Sequence, residues 1–313
     1  MESPSRTTVF PSLTTTSAIT SFITTFGMRR LATLLSFVVF VAGIVHAQSS
    51  ANCTFQTFNP PPNDIYGFYP NGINDQGTIV GEVWGPSQNM GNAFIGTAKG
   101  NITVFDVPNA SWTMFNRVNA AAAVGAYGDG NALPPPGVGS NGLIYSSKSY
   151  ATLNFPGSSS TELTGINVAN TIVGIELDPT TKGTWGFSYH NGKFQQIRYP
   201  GSVQTTVTGI NNNGVIVGGY ELGSFENPWS GYVLENGKFT SLNFPSGYVP
   251  GDINDDGTMV SGNLIRFSDG TIKIIYLSGS AGTSADGINN QGVVTGSASY
   301  GTFEFVGFTA ECK

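Results

Sequence analysis

The sequence predicts an all-β fold: a six-bladed β-propeller of four-stranded antiparallel blades, the last blade closed by the N-terminal strand. Three observations predict it. A six-residue phrase recurs as GINDQG, GINVAN, GINNNG, DINDDG and GINNQG, with a degenerate copy RVNAAA; its central apolar residues, Ile73, Val118, Ile166, Ile210, Ile253 and Ile288, stand 45, 48, 44, 43 and 35 residues apart. Self-similarity at such a period marks one supersecondary unit stacked many times. Composition agrees, with 42 glycines, 12% aromatic residues and only 10% charged residues, against roughly 25% charged in an average soluble domain. Finally, each full unit divides into four strand-like pieces separated by turn residues, the pattern of a propeller blade.

In chain order, residues 1–27 are Ser- and Thr-rich without apolar period and read as a disordered extension or a start placed upstream of Met28. Residues 28–47 carry Arg29 and Arg30 before an apolar run from Leu31 to Val45, then Val45-His46-Ala47, the three parts of a secretory signal peptide. The run is short for a membrane span, which needs about 20 apolar residues. Residues 48–313 form one propeller domain. The fourth unit shows the strands most cleanly, at 205–211, 215–222, 229–236 and 238–245, with Asn213-Gly214 and Asn236-Gly237 supplying hairpin turns. The last piece of each unit ends at Pro108, Pro156, Pro200, Pro245 and Leu277, and a sixth copy, Cys53 to Pro61, precedes the first GIN phrase. The sixth unit lacks this piece at its own end, so the N-terminal strand completes it. Gly81, Gly174, Gly218 and Gly296 follow the apolar pair of the second strand at one register, and mark a close backbone approach or a bulge.

The cysteines test that closure. Laying Gly307 on Gly231 puts Cys312 at the place of Asn236, and laying Phe55 on Phe239 puts Cys53 at the place of Gly237. Those positions are neighbours in one hairpin, so Cys53 and Cys312 are expected to staple the ring where the chain ends meet. A secreted protein meets the oxidising conditions required, and a loop of this length is worth up to ~5 kcal/mol in the chain-entropy model.

The frame of GIN, two or three polar residues, Gly, an apolar pair and Gly, followed by an Ala-Phe or Gly-aromatic strand, resembles the bacterial extracellular repeats called HAF after a His-Ala-Phe triplet. It spans nearly all of residues 51–313. The triplet itself survives as Asn92-Ala93-Phe94, and elsewhere the strand reads Gly186-Phe187, Gly231-Tyr232 or Gly307-Phe308. The resemblance implies an extracellular, propeller-like repeat protein and carries no activity onto particular residues.

Charge excludes several functions. The net charge is −6, and removal of residues 1–47 takes away Arg6, Arg29, Arg30 and Glu2, leaving −8. Nucleic acids and anionic membranes bind through clustered Lys and Arg, so neither is an expected partner. His190, in SYHNGK before a hairpin turn, is the one histidine after residue 47 and reads as a solvated turn residue rather than a catalytic base. No cofactor or metal is expected. Asp252, Asn254, Asp256 and Gly257 imitate the opening of a calcium loop, but its twelfth position is Asn263 rather than an acid.

The connections between second and third strands differ most between units: 82–92, 127–141, 176–185, 221–229 and 298–304, with almost none in the fifth. They emerge on one face and carry aromatics beside carboxylates. Trp84, Tyr127, Trp185, Glu221, Phe225, Trp229 and Tyr300 are the ligand-binding candidates, because a flat apolar ring with polar neighbours suits a sugar face or a protein anchor. Trp185 and Trp229 equally suit packing between blades. The expected function is noncatalytic binding of an extracellular carbohydrate or protein by a secreted, extracellular or periplasmic protein. The alternatives are a hydrolase or lyase with carboxylates converging at the central channel, and a structural envelope protein.

Overall fold

The structure is a computed structural model that describes residues 50–61, 67–85, 91–129, 139–223, 228–301 and 304–313; the expectations for 1–27 and 28–47 fall outside these residues, as does Phe225. Its strands form six four-stranded antiparallel sheets, five of them meanders in chain order. Blade 1 holds β2 (Gly67–Ile73), β3 (Thr78–Trp84), β4 (Asn92–Thr97) and β5 (Thr103–Phe105). Blade 2 holds β6 (Ala110–Val118), β7 (Ala123–Asp129), β8 (Ser140–Ser146) and β9 (Ser149–Thr152). Blade 3 runs through β10 (Ser160–Ile166), β11 (Ile172–Leu177), β12 (Thr184–His190) and β13 (Lys193–Ile197). Blade 4 runs through β14 (Ser202–Ile210), β15 (Ile216–Leu222), β16 (Ser230–Glu235) and β17 (Lys238–Ser241). The short blade 5 has β18 (Asp252–Ile253), β19 (Met259–Ser261), β20 (Leu264–Arg266) and β21 (Ile272–Ile274). In blade 6, β22 (Gly282–Ile288), β23 (Val293–Ser299) and β24 (Phe305–Cys312) are joined by the N-terminal β1 (Cys53–Phe58) as the outer strand. The fold is a six-bladed β-propeller.

β1 pairs with β24 from Cys53↔Cys312 to Phe58↔Gly307, and a disulfide joins Cys53 to Cys312. Closure therefore follows the register that the repeat alignment anticipates. The fourth strands stop earlier than expected: β17 ends at Ser241 rather than Pro245. One further backbone bond follows in blades 2, 4 and 5, from Leu153 to Gly142, Leu242 to Gly231 and Ile275 to Asn263, and beyond it side chains take over in four blades. The amides of Val107, Phe155, Tyr199 and Leu277 donate to the hydroxyls of Thr113, Thr161, Thr205 and Thr283, which cap the passage into the next blade.

Packing lies between blades. Six buried apolar clusters occupy the six interfaces. One, for example, sets Val217 of blade 4 on Ile253 and Met259 of blade 5, and another sets Phe58 of the N-terminal strand with Phe68 and Phe94 of blade 1. The first strand carries a bulge just before the GIN phrase in every blade but the fifth, at the steps Pro70/Gly72, Phe115/Arg117, Leu163/Gly165, Val207/Gly209 and Ala285/Gly287. At the bulge a first-strand carbonyl presses on the second strand. A Cβ on Gly81, Gly125, Gly174, Gly218 or Gly296 would stand within 2.3 Å of the carbonyl oxygen of Tyr69, Met114, Glu162, Thr206 or Ser284 respectively. Glycine is required there by close approach.

Candidate functional site

The GIN phrase turns between first and second strands and surrounds one mouth of the channel. Its asparagine does three jobs. In blade 1, Asn74 Oδ1 accepts from the amides of Gln76 and Thr78, shaping the turn, while Nδ2 donates to the Asn119 carbonyl of the next blade at 3.1 Å. The same donation continues from Asn119 to Asn167, Asn167 to Asn211, Asn211 to Asn254, Asn254 to Asn289 and Asn289 to Asn74, at 2.8, 3.2, 3.0, 3.3 and 3.1 Å. Six buried asparagines thus close a hydrogen-bonded ring. The next position adds links over part of the circuit: both carboxylate oxygens of Asp255 accept from Asn212, and both of Asp75 accept from Asn290.

Inside the ring, two repeats depart from glycine. Arg117 and Asp252 stand where the other units carry Gly72, Gly165, Gly209 and Gly287. They meet across the channel, Arg117 Nε lying 3.1 Å from Asp252 Oδ2. The guanidinium also donates to the carbonyls of Asn71, Asn116, Gly251 and Asp286, so one side chain ties blades 1, 2, 5 and 6. Burial pushes the Asp252 carboxyl above its ordinary range, opposed by Arg117 and by amide donors including Ile288. The pair forms the floor of a cavity of about 90 Å³ bounded by Asn74, Asn119, Asn211 and Asn289. The calcium-loop imitation is resolved here: Asp252 faces Arg117, Asn254 belongs to the ring, and Asp256 accepts from the Thr258 amide.

The opposite, loop face carries the aromatic candidates. Trp84, half-buried at the end of β3, donates Nε1–H to Glu82 Oε2 at 2.9 Å, and Gly91 lies against both. Tyr127 is buried; its hydroxyl meets Thr152 Oγ1 at 2.8 Å and its ring packs on Tyr150. Trp185 is buried too, its ring lying 3.9 Å beneath the Arg198 guanidinium, and its Nε1 has no hydrogen-bond partner among the described residues. Opposite it, Glu176 accepts from Gln196 at 2.8 Å, and burial raises its carboxyl above the usual carboxylate range. Glu221 is 1% exposed: Oε2 accepts from Gln204 Nε2 at 3.0 Å, and Oε1 has no partner among the described residues. Trp229, half-buried, sits over Gly219 beside Val249, and Tyr300 is 41% exposed.

Glutamate and tryptophan therefore recur at the loop end of blades 1, 3 and 4. The structure brings Trp84 to Glu82 and sets Trp229 over Gly219, two residues before Glu221 on β15, while Tyr127 and Trp185 serve packing. Arg117 and the asparagine ring are the residues that sequence reasoning missed. Two signals were available: asparagine is kept in all six copies, and two opposite charges replace the same glycine.

His190 is exposed, its ring nitrogens near Thr171 Oγ1 and Asn191 Nδ2. Among the described residues no three His, Cys, Asp or Glu side chains gather as metal ligands, and no helix is long and apolar enough to cross a membrane.

No protein-family model and no curated protein matches the chain. Solved structures do. TolB from Acinetobacter baumannii matches at a TM-score of 0.52 and 10% identity, over 75% of this chain and 63% of that one; the chain thus spans under two thirds of TolB. A protein of unknown function from Dyadobacter fermentans matches at 0.52 and 10% identity, over 83% and 98%. The β-propeller domain of a Pyrococcus furiosus protease matches at 0.42 and 10%, over 79% and 81%. The likeness is one of fold alone.

Proposed function

We propose that the chain is a noncatalytic binding propeller that takes an extracellular ligand, carbohydrate or protein, on its loop face. The chemical inequality of the two ends of the ring carries this reading. At the GIN end, asparagine and aspartate side chains are committed to neighbouring blades. At the loop end, half-buried Trp84, bonded to Glu82, and half-buried Trp229, over Gly219, lie on a rigid scaffold, where ligand contacts usually sit. The disulfide fits an oxidising extracellular or periplasmic compartment, and the signal-peptide pattern at 28–47 and the resemblance to HAF repeats support secretion.

A screen of the secreted protein against glycans and secreted proteins tests this reading, with Trp84→Ala and Trp229→Ala on the loop face and Gln76→Ala at the opposite mouth. Binding that weakens with either tryptophan variant and survives Gln76→Ala is expected. Binding indifferent to both tryptophans would place recognition elsewhere.

A further inference from the structure

The geometry points to a carbohydrate subsite between blades 4 and 5, in which a sugar hydroxyl donates to Glu221 Oε1 and the sugar's apolar face rests on Trp229. The inference rests on the loop-face reading and makes it specific. Along β15, Val217, Gly219 and Glu221 alternate onto the side facing blade 5: Val217 packs on Ile253 and Met259, and Gly219 lies beneath Val249 and Trp229. Tyr220 pairs with Ser230, so the strip continues to Glu221 with Trp229 across from it. Gln204 completes the row from the inner strand, pairing with Glu221 in register.

Two observations make this strip a site. Among the described residues, a carboxylate oxygen in a residue 1% exposed has no donor, although buried polar groups are ordinarily satisfied. And blade 5 is cut short opposite it: β19 turns back at Ser261, which pairs with Leu264, below the level that β15 reaches at Glu221. The half-buried Trp229 lies over Gly219, the neighbour of Glu221 on the same face of β15. Gly219 gives the indole room without a Cβ beneath it, so a ligand enters as Trp229 swings off Gly219.

Oε1 needs a donor. A neutral hydroxyl supplies one without bringing a charge out of water, whereas an ammonium would carry its own desolvation cost into the site. A flat ring beside a hydroxyl acceptor is the pairing that a pyranose uses. Trp84 with Glu82 lacks this feature, because that indole N–H already occupies its carboxylate.

Glu221→Gln separates the subsite from the fold. The amide oxygen keeps the bond from Gln204, and the position of Oε1 becomes an NH2, a donor where the ligand requires an acceptor. On a glycan array followed by calorimetry with the best oligosaccharide, the wild type is expected to bind, Glu221→Gln to weaken binding about ten- to a hundredfold, and Trp229→Ala to weaken it comparably. Tryptophan fluorescence should shift on binding in the wild type and not in Trp229→Phe. Should Glu221→Gln melt early, Trp229→Ala at its half-exposed position reads the same site. Glycan binding unchanged in both variants overturns the subsite and leaves the loop face standing if Trp84→Ala weakens it. Capture of a secreted protein with no glycan bound overturns the carbohydrate assignment alone. Binding lost in Gln76→Ala and retained in all loop-face variants overturns both.

Discussion

Arg117 and Asp252 each replace a glycine of the repeat, and the chemistry of each is intelligible through the other. A guanidinium within the channel meets four carbonyls and one carboxylate, and the carboxylate meets that guanidinium and the Ile288 amide. Removing one partner strands the other charge. Arg117→Met is expected to destabilise the protein by about 3–5 kcal/mol in denaturant unfolding, and the double variant Arg117→Gly with Asp252→Gly, which restores the repeat at both positions, should lose less than Arg117→Met alone. The pH dependence has a defined sign. Because burial raises the folded-state pKa of Asp252, its contribution is fully present below the ordinary aspartate value and fades as pH rises through the raised one. The melting-temperature difference between wild type and Asp252→Asn should therefore shift in favour of the wild type on acidification from neutrality; a constant difference would contradict it. Both residues were visible in the sequence as irregular copies, RVN and DIN. Their partnership was not, because the ring sets them face to face only once six blades have closed.

Each blade is legible from its punctuation, and the limits of that legibility have physical causes. The second-strand glycines reported a close approach, and the structure identifies it as the bulge carbonyl of the first strand. Blade 5 offers the contrast: its paired first strand is only Asp252–Ile253, and its corresponding residue is Ser261, which carries a side chain and donates to the Val249 carbonyl. Gly218→Ala, whose Cβ would lie 1.9 Å from the Thr206 oxygen, should destabilise by at least about 2 kcal/mol, while Ser261→Ala should cost about 1 kcal/mol; equal losses measured by urea unfolding would contradict the bulge argument. The loop face was harder to read. An aromatic at the end of a strand looks the same in sequence whether it faces solvent or a neighbour, and Trp185 shows why: Arg198, at the end of the following strand, covers its ring. Trp84 and Trp229 are half-buried, and each lies against a glycine, Gly91 and Gly219.

Across the whole molecule, stability depends on joining the two ends of the chain. β1 is the fourth strand of a blade whose other three strands come from the C-terminus, so the last interface forms only when the chain ends meet. The Cys53–Cys312 disulfide spans a sequence separation of 259 residues and raises the effective concentration of that encounter. Replacing both cysteines with serine is expected to cost about 2–5 kcal/mol, and reduction of the wild type should lower its melting temperature to that of the variant. If reduction had no effect, strand pairing alone would hold the closure.

The six asparagine links extend that point to the centre of the molecule. The bond from Asn289 to Asn74 crosses the chain ends with the same donor, acceptor and length as the bond from Asn74 to Asn119. The hub of the propeller therefore has no seam; the seam lies at the rim, between β1 and β24. With Asn52 joined to Lys313 beside the disulfide, a circularly permuted ring opened at any other passage between blades would keep every hub contact. Closure is a property of the outer edge, and the centre is blind to it.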